Sequence, residues 1–317
     1  MAHDDRLFLI TGATGKTGTG TVHQLLERGY RVRALVHRED KRSRRLAEAG
    51  AEIAVSDLHD LDGMTAAMRG VTSAYLCHPI LPGLTEATTC FAQAATDAGV
   101  RSVVNMSQIS ARREAGSKAA QQHWMCERLL DRTNLLTAHL RPTYFAEWLT
   151  TWWEKRNGEG YLRLPFGDGR HAPIAAADQS RVIAALLLDP ERHDRAIYTL
   201  HGPVEMNHHD IARAISTTLG IPVHYEPISV EEFASAMAER GLHAHLIQHL
   251  SNVAVDYQNG VFAGTNDNVE QISHHAPLTV EQFVTERTSD FDTSGPNFAP
   301  PRQAVPFGSG IHPRPRR

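Results

Sequence analysis

Apolar runs of five or six residues alternate with amphipathic stretches through the first 140 positions of the chain. LFLIT (7–11), VRALV (32–36), AEIAV (51–55), SAYLC (73–77), SVVNM (102–106) and LLTAHL (135–140) read as strands. Helix-like segments near 17–28, 40–49, 60–68, 84–98 and 118–131 separate them. Strands apolar along both faces are covered on both sides, and their alternation with helices makes the sheet parallel. Right-handed crossovers then predict an α/β fold with a doubly wound parallel sheet.

After about residue 142 the rhythm changes. Tyr144, Phe145, Trp148, Trp152 and Trp153 cluster, the tryptophans at the i, i+4, i+5 spacing of one helix face. GYLRLPFGDGRHAPI (160–174) suggests a small hairpin or irregular strands. DQSRVIAALLLDP (178–190) predicts a helix with Asp178 as N-cap and Pro190 beyond its end. AIYTLHG (196–202) is a candidate strand returning to the sheet. NHHDIARAISTTLGIP (207–222) predicts a helix capped by Asn207 and stopped by Gly220. Ser229 with Glu232 three residues on is a capping-box signature for the helix at 229–241. From Ser289 the chain is rich in proline and glycine and predicts an extended tail without a core of its own.

Composition narrows the class. The chain has 317 residues, 41% of them hydrophobic, enough for one large α/β core and a smaller lobe. Lys and Arg number 32 against 36 Asp and Glu, a net charge of −4, so charge makes no case for nucleic acid or an anionic membrane as partner. No apolar run approaches the roughly 20 residues of a membrane span, and MAHDDR lacks a signal-peptide core. Cys77, Cys90 and Cys126 form no disulfide or zinc pattern, which suits a reducing cytoplasm.

The chemistry starts in RLFLITGATGKTGTGTVHQLL (6–26). Gly12, Gly15 and Gly18 stand directly after the first strand and at the start of a helix. The first allows a sharp turn, the second lets backbone approach a pyrophosphate, and the third lets helix pack on strand. Free N–H groups at the helix start then face the phosphates. Thr14, Lys16 and Thr17 fill the turn and are counted with the glycines as cofactor-binding. About one strand later VRALVHREDKRSRR places Arg38 where a basic side chain accepts the extra phosphate of NADP, with His37 and Lys41 beside it and Arg33 as a second candidate. NADP(H) is therefore the expected cofactor. Asp57 and Leu58 after the third strand suit the adenine. Cys77 and His78 at the end of the fourth would lie by the nicotinamide ribose.

ITGATGKTG, VRALVHR, VSDLHD, VVNMSQIS and ERLLDRTNLLTAHLRPTYFAEWL together resemble the NmrA-like branch of the atypical short-chain dehydrogenase/reductases, over roughly residues 5 to 285. In the last block Glu127, Thr137, Leu140, Arg141, Pro142 and Phe145 stand in family-like positions. The resemblance implies a Rossmann-type fold, NADP(H), and either reduction of quinones, ketones, imines or activated double bonds or redox sensing without turnover. The domains expected are a dinucleotide-binding domain (1–155), a smaller, mostly C-terminal α/β substrate lobe (156–288) and the tail (289–317).

The standard Tyr–x–x–x–Lys pair of the wider family is missing. Aligning Glu127-Arg128-Leu129-Leu130 with the family's ExxL puts His123 at the lysine position and Ala119 at the tyrosine position, and no tyrosine lies between Tyr75 and Tyr144. Ser107 ends the fifth strand as the family's serine does. His123, Ser107 and Tyr144 are the candidate catalytic residues, with His123 also beside the nicotinamide; Gln108 and His78 are expected at the same cleft. The tryptophan face is lobe core or dimer surface, or else an aromatic wall for a flat substrate. No H-E-x-x-H or other ligand spacing supports a metal despite 19 histidines, and no G-x-S-x-G turn supports a hydrolase. The leading reading is an NADPH-dependent reductase of a small aromatic or conjugated carbonyl or quinone-type substrate. The alternatives are a non-catalytic NADP(H)-binding redox sensor and, less favoured, an isomerase or cyclase with a structural nucleotide. The expected partner is a small molecule; the aromatic face and the tail are the candidate surfaces for self-association.

Overall fold

The six strands and five helices expected of the first half all form in the computed structural model, which describes residues 5–292. They run β1 (Leu7–Ile10), α1 (Lys16–Glu27), β2 (Arg31–Val36), α2 (Lys41–Glu48), β3 (Glu52–Val55), α3 (Leu61–Met68), β4 (Ser73–Leu76), α4 (Leu84–Asp97), β5 (Ser102–Met106), α5 (Lys118–Leu130) and β6 (Leu136–Pro142). Local capping explains several of the starts. Asp40 accepts from the N–H groups of Arg42 and Ser43, Asp60 from Gly63, and Ser117 from Ala120. The chain continues as α6 (Glu147–Thr151), β7 (Trp153–Arg156), β8 (Glu159–Leu164), β9 (Arg170–His171), α7 (Ala176–Leu188), β10 (Ala196–Leu200), β11 (Met206–Asn207), α8 (His208–Leu219), β12 (Val223–Pro227), α9 (Val230–Glu239), α10 (Ala244–Gln258), α11 (Asn268–Ser273) and α12 (Val280–Glu286).

Among the described residues, seven strands form one parallel sheet in the order β10-β6-β5-β4-β1-β2-β3. The order reverses between β1 and β4, so a crevice opens there at the C-terminal strand ends. Apolar side chains pack on both faces: α1 and α7 cover one with Val22, Leu25, Ile183 and Leu187, while α3 and α4 cover the other with Met64, Met68 and Phe91. Ser180 Oγ on α7 donates to the Thr17 carbonyl of α1 at 2.8 Å. The 196–202 segment does join the sheet, with β10 beside β6.

The smaller lobe has a three-stranded sheet, β12-β8-β7. Asn157 and Gly158, at φ 52° and 84°, close the β7–β8 hairpin with the two left-handed residues of a type I′ turn. β7 crosses the boundary expected at 155. Three expectations are corrected here. The tryptophans do not share a helix: α6 has five residues, and Trp153 begins β7 because it fills the lobe core, wholly buried. Asp178 is not an N-cap. It lies inside α7, buried, and accepts from the Leu278 N–H at 3.0 Å, while Glu147 accepts from Ala176 N–H at the helix start. Residues 289–292 are not extended, because a 3-10 turn over Thr288–Phe291 buries Phe291 edge-on to Trp153, and its carbonyl accepts from Trp153 Nε1 at 2.9 Å. The rest of the predicted tail, 293–317, lies outside the described residues.

Histidines enter the lobe core. His171 and His208 are wholly buried; the Tyr257 hydroxyl bonds to Nδ1 of each, at 3.2 Å for His208. Burial pushes His171 well below the usual imidazole range and His208 down to about 3. The unfolded chain therefore binds more protons below its ordinary imidazole range near pH 6.5. Stability should be full above that pH and fall as pH drops toward these depressed values, by up to about 1.4 kcal/mol per buried histidine per pH unit. Urea midpoints measured from pH 7 to pH 5 should fall steadily, and His208→Asn should flatten the slope if it folds.

Candidate functional site

At the reversal point the turn after β1 is set by backbone contact. Gly12 adopts φ 57°, and the Gly15 N–H donates to the Gly12 carbonyl at 2.8 Å. A Cβ on Gly15 would come within 3.0 Å of that oxygen, and a Cβ on Gly18 would overlap it. Thr17 Oγ1 pairs with the Tyr75 hydroxyl at 2.9 Å, and the Cys77 N–H donates to Thr11 Oγ1 at 2.8 Å, tying the turn to β4. Gly15, at the N-cap of α1, offers no side chain to the first-turn N–H groups. These contacts press the turn onto the start of α1, and the uncapped N–H groups there suit a diphosphate. Thr14 is half-buried at its rim. Burial lowers the proton affinity of the Lys16 ammonium, which senses Glu147, Arg287 and Asp290.

One strand over, Arg38 is exposed and makes no ion pair among the described residues. Its acidic neighbour Asp40 is engaged at the N-terminus of α2 and by the Arg42 guanidinium at 2.7 Å. The expectation that Arg33 also reaches a phosphate is corrected. Its guanidinium turns the other way, donating to Glu52 at 2.9 Å and to the carbonyls of Ala67 and Arg69. Asp57 accepts from the N–H and Nδ1 of His59 at 2.9 and 2.8 Å; burial opposes its ionisation, but His59 and His37 outweigh that and hold the carboxyl low. Leu58 packs against the sheet. Cys77 faces Gly12 with its Cβ 3.5 Å from an added Cβ, and burial raises its thiol. His78 Nδ1 donates to the Pro79 carbonyl at 2.6 Å.

Over β5 and β6 the key contact was not assigned from sequence. Glu127, with no exposure, accepts from Ser107 Oγ at 2.6 Å and from Arg141 Nε and Nη2 at 2.8 and 2.5 Å. This locks α5 to the ends of β5 and β6. The Ser107 hydroxyl is consequently turned onto Glu127, and only its lone pairs remain. A buried acid on a helix face followed by an arginine in the next strand was the available signal. His123 stands one helical turn toward the cleft from Glu127, on the same face. It is 6% exposed, its Nδ1 has no partner, and burial, with His249 and His78 nearby, pushes it down to about 3. It is a neutral imidazole at neutral pH.

The Tyr144 expectation is corrected. Its hydroxyl is buried in the lobe, accepts from Trp152 Nε1 at 3.0 Å, and is pushed up by burial. The smaller lobe folds over the end of β6 and draws the ring in among Phe166 and Tyr257. Trp152 and Trp153 are likewise core; of these three tryptophans Trp148 stays partly open, stacked on Tyr144 at 5.9 Å. Ile80, Ile109 and Trp148, each partly buried on the lobe core, come from the segments after β4, β5 and β6 and form an apolar rim. Among the described residues no group of three metal-ligating side chains could hold a metal, and no helix is long and apolar enough to cross a membrane.

A family model described as the NmrA-like family matches residues 4–284. Similar proteins include the NAD(P)H azoreductase of Xenophilus azovorans, 24% identical over 285 residues, covering 90% of this chain and 99% of that one. The crystal structure of the NADPH-dependent quinone oxidoreductase of Escherichia coli complexed with NADPH superposes with TM-score 0.77 at 22% identity, covering 88% of this chain and 99% of that one. The negative transcriptional regulator NmrA in complex with NADP superposes with TM-score 0.75 at 14% identity, covering 89% and 95%.

Two substitutions test this geometry. Gly18→Ala should weaken binding of a nicotinamide dinucleotide by about tenfold or more in calorimetry, because the turn must open to admit the methyl. Glu127→Ala should lower unfolding stability by about 3–5 kcal/mol in urea titration, because it leaves Arg141 without its buried partner.

Proposed function

This chain belongs to the NmrA-like family, and from that premise we propose that it is an NADPH-dependent oxidoreductase acting on a small conjugated carbonyl or quinone-type acceptor. The observation that carries the reading is the pairing of the bare glycine cradle with an unengaged Arg38 guanidinium one strand away. Backbone N–H groups at Lys16, Thr17 and Gly18 would hold the diphosphate and Arg38 the 2′-phosphate, with Asp57 and Leu58 toward the adenine. Cys77, His78 and His123 would line the nicotinamide end. Bound there, the nicotinamide supplies a hydride.

The chain's own groups do the rest. The apolar rim of Ile80, Ile109 and Trp148 would hold a flat acceptor and exclude water. His123 is uncharged, so its part is an N–H donor toward the oxygen that gains negative charge, not a standing acid. Glu127 holds Ser107 and α5 in place and so positions His123. The second reading, a nucleotide-binding sensor without turnover, is favoured by the missing tyrosine and by the Ser107 hydroxyl being taken by Glu127.

NADPH oxidation followed at 340 nm against a panel of quinones and conjugated ketones separates the two. Turnover that drops about a hundredfold in His123→Ala, with calorimetric NADPH affinity retained, is the expected result. Arg38→Ala should remove the preference for NADPH over NADH, a difference of about tenfold or more. Tight binding of both redox forms with no turnover on any acceptor would instead establish the sensor.

A further inference from the structure

The loops after β3 and β4 meet through one imidazole. His59, in the loop after β3, stands between two groups that can only accept a hydrogen bond. Its Nδ1 lies 2.8 Å from Oδ1 of the Asp57 carboxylate, and the same oxygen accepts the His59 backbone N–H at 2.9 Å. Its Nε2 lies 3.1 Å from the carbonyl of Gly83, at the N-cap of α4. Gly83 adopts φ 101°, and a Cβ there would stand 2.5 Å from that Nε2, so a side chain at 83 would push the ring away. A neutral imidazole has one N–H and one lone pair, and either tautomer would set that lone pair against an oxygen. With both bonds made, the ring is an imidazolium that donates from each nitrogen.

The groups around the ring are few. Asp57 supplies its counter-charge, with the second carboxylate oxygen 3.5 Å from His37 Nδ1 after β2. Asp60, on the same loop, accepts from the Gly63 N–H at the start of α3. From the β4 side His78 stands edge to face at 5.9 Å, its own Nδ1 on the Pro79 carbonyl at 2.6 Å. Cys90 of α4 has its thiol raised by burial and by Asp60 and Asp57. The tie also has a definite place in the fold. In the sheet order β4-β1-β2-β3 the glycine turn after β1 lies between the two strands whose loops His59 joins. The bond from His59 to Gly83 therefore links the two flanks of the crevice that this turn opens.

Resting on the reading that this crevice takes a nicotinamide dinucleotide, we infer that His59 is a positioning residue for it: the imidazolium ties the loops after β3 and β4 around the nucleotide, so binding is coupled to protonation of this ring. The two bonds on Asp57 Oδ1 fix the carboxylate that faces the adenine. The bond to Gly83 fixes the loop that carries His78 at the nicotinamide end. Raising the pH removes one of the two ring protons and so releases one of the two loops. The bound state uses both loops and holds that proton more firmly than the free protein does. By linkage, nucleotide affinity falls as pH rises, and nucleotide binding takes up protons.

Calorimetry on the full chain with NAD⁺ and NADP⁺ from pH 6 to pH 9, in buffers of different ionisation heat, gives affinity and proton uptake together. NAD⁺ lacks the 2′-phosphate, whose own titration at about pH 6 acts in the opposite direction. For NAD⁺ the expected result is affinity about tenfold weaker at pH 9 than at pH 6, with uptake of about half a proton between them. NADP⁺ should follow the same slope above about pH 7. His59→Asn, whose amide replaces only the Nδ1 donor, should bind NAD⁺ with affinity constant to within about twofold across the range. Gly83→Ala keeps the ring but drives it off the carbonyl, and should flatten the slope equally. A slope that survives in either variant belongs to another cation such as Lys16, or to the ring's charge without the tie, and overturns the inference. Wild-type affinity that does not change with pH overturns it too. Histidine side-chain ¹⁵N spectra of the wild type decide the matter even if a variant does not fold: the His59 ring should keep both protons to higher pH with nucleotide bound, and equal titration in the free and bound states overturns the inference. Coupled binding without turnover on any acceptor sustains this inference and overturns the reductase reading, whereas failure of both nucleotides to bind at every pH overturns the dinucleotide reading and this inference with it.

Discussion

A carboxylate with no exposure to water governs the geometry of the cleft. Glu127 is charged, sits on the inner face of α5, and is held by Arg141 from β6 and Ser107 from the end of β5. A buried ion of this kind is tolerated only with its hydrogen bonds complete. Completing them leaves α5 one permitted position against the strand ends. His123 is carried on the same helix face, one turn nearer the crevice, so the placement of the candidate chemistry follows from the satisfaction of a buried charge. The same bond explains why Ser107, correctly expected at the strand end, does not present a free hydroxyl.

The second constraint is steric. Gly18 comes so close to the Gly12 carbonyl that no side chain fits between them, and the turn is further tied to β4 through Thr11 and Thr17. Helix α1 is thereby pressed onto the sheet where the strand order reverses. Its open N-terminus points into the crevice. The smaller lobe then closes the other side. Its core gathers Trp152, Trp153, Phe166, Tyr257 and Phe291, leaving Trp148 with Ile80 and Ile109 at the rim. Arg112 on one lobe and Asp256 on the other join the two across the cleft.

Much of the fold was legible in the chain. Each strand of the first half is a short apolar run, and the helix starts at Ser117, Asn207 and Ser229 carry side chains that satisfy N–H groups within three residues. The glycine turn was legible for the same reason, since a spacing of three residues is a local geometric demand. The smaller lobe was harder. The tryptophans looked helical by spacing, but Trp153 belongs to a hairpin strand whose Asn157–Gly158 turn outweighs that pattern. Asp178 looked like a cap, yet it lies inside α7, where it accepts from Arg181 and from the N–H of Leu278, 100 residues away.

The sequence by itself determined the order of elements, the doubly wound topology and the cradle at Gly12, Gly15 and Gly18, because periodicity, capping and turn chemistry act within a few residues. Tertiary structure alone decided where side chains point. Arg33 turns to Glu52 while Arg38 stays open; Tyr144 faces into the lobe; Glu127 finds Arg141; and His249 of α10 meets Ser117 at the start of α5. A side chain's direction is set by which distant groups remain unsatisfied once helices and strands pack, and that competition has no signature in local spacing.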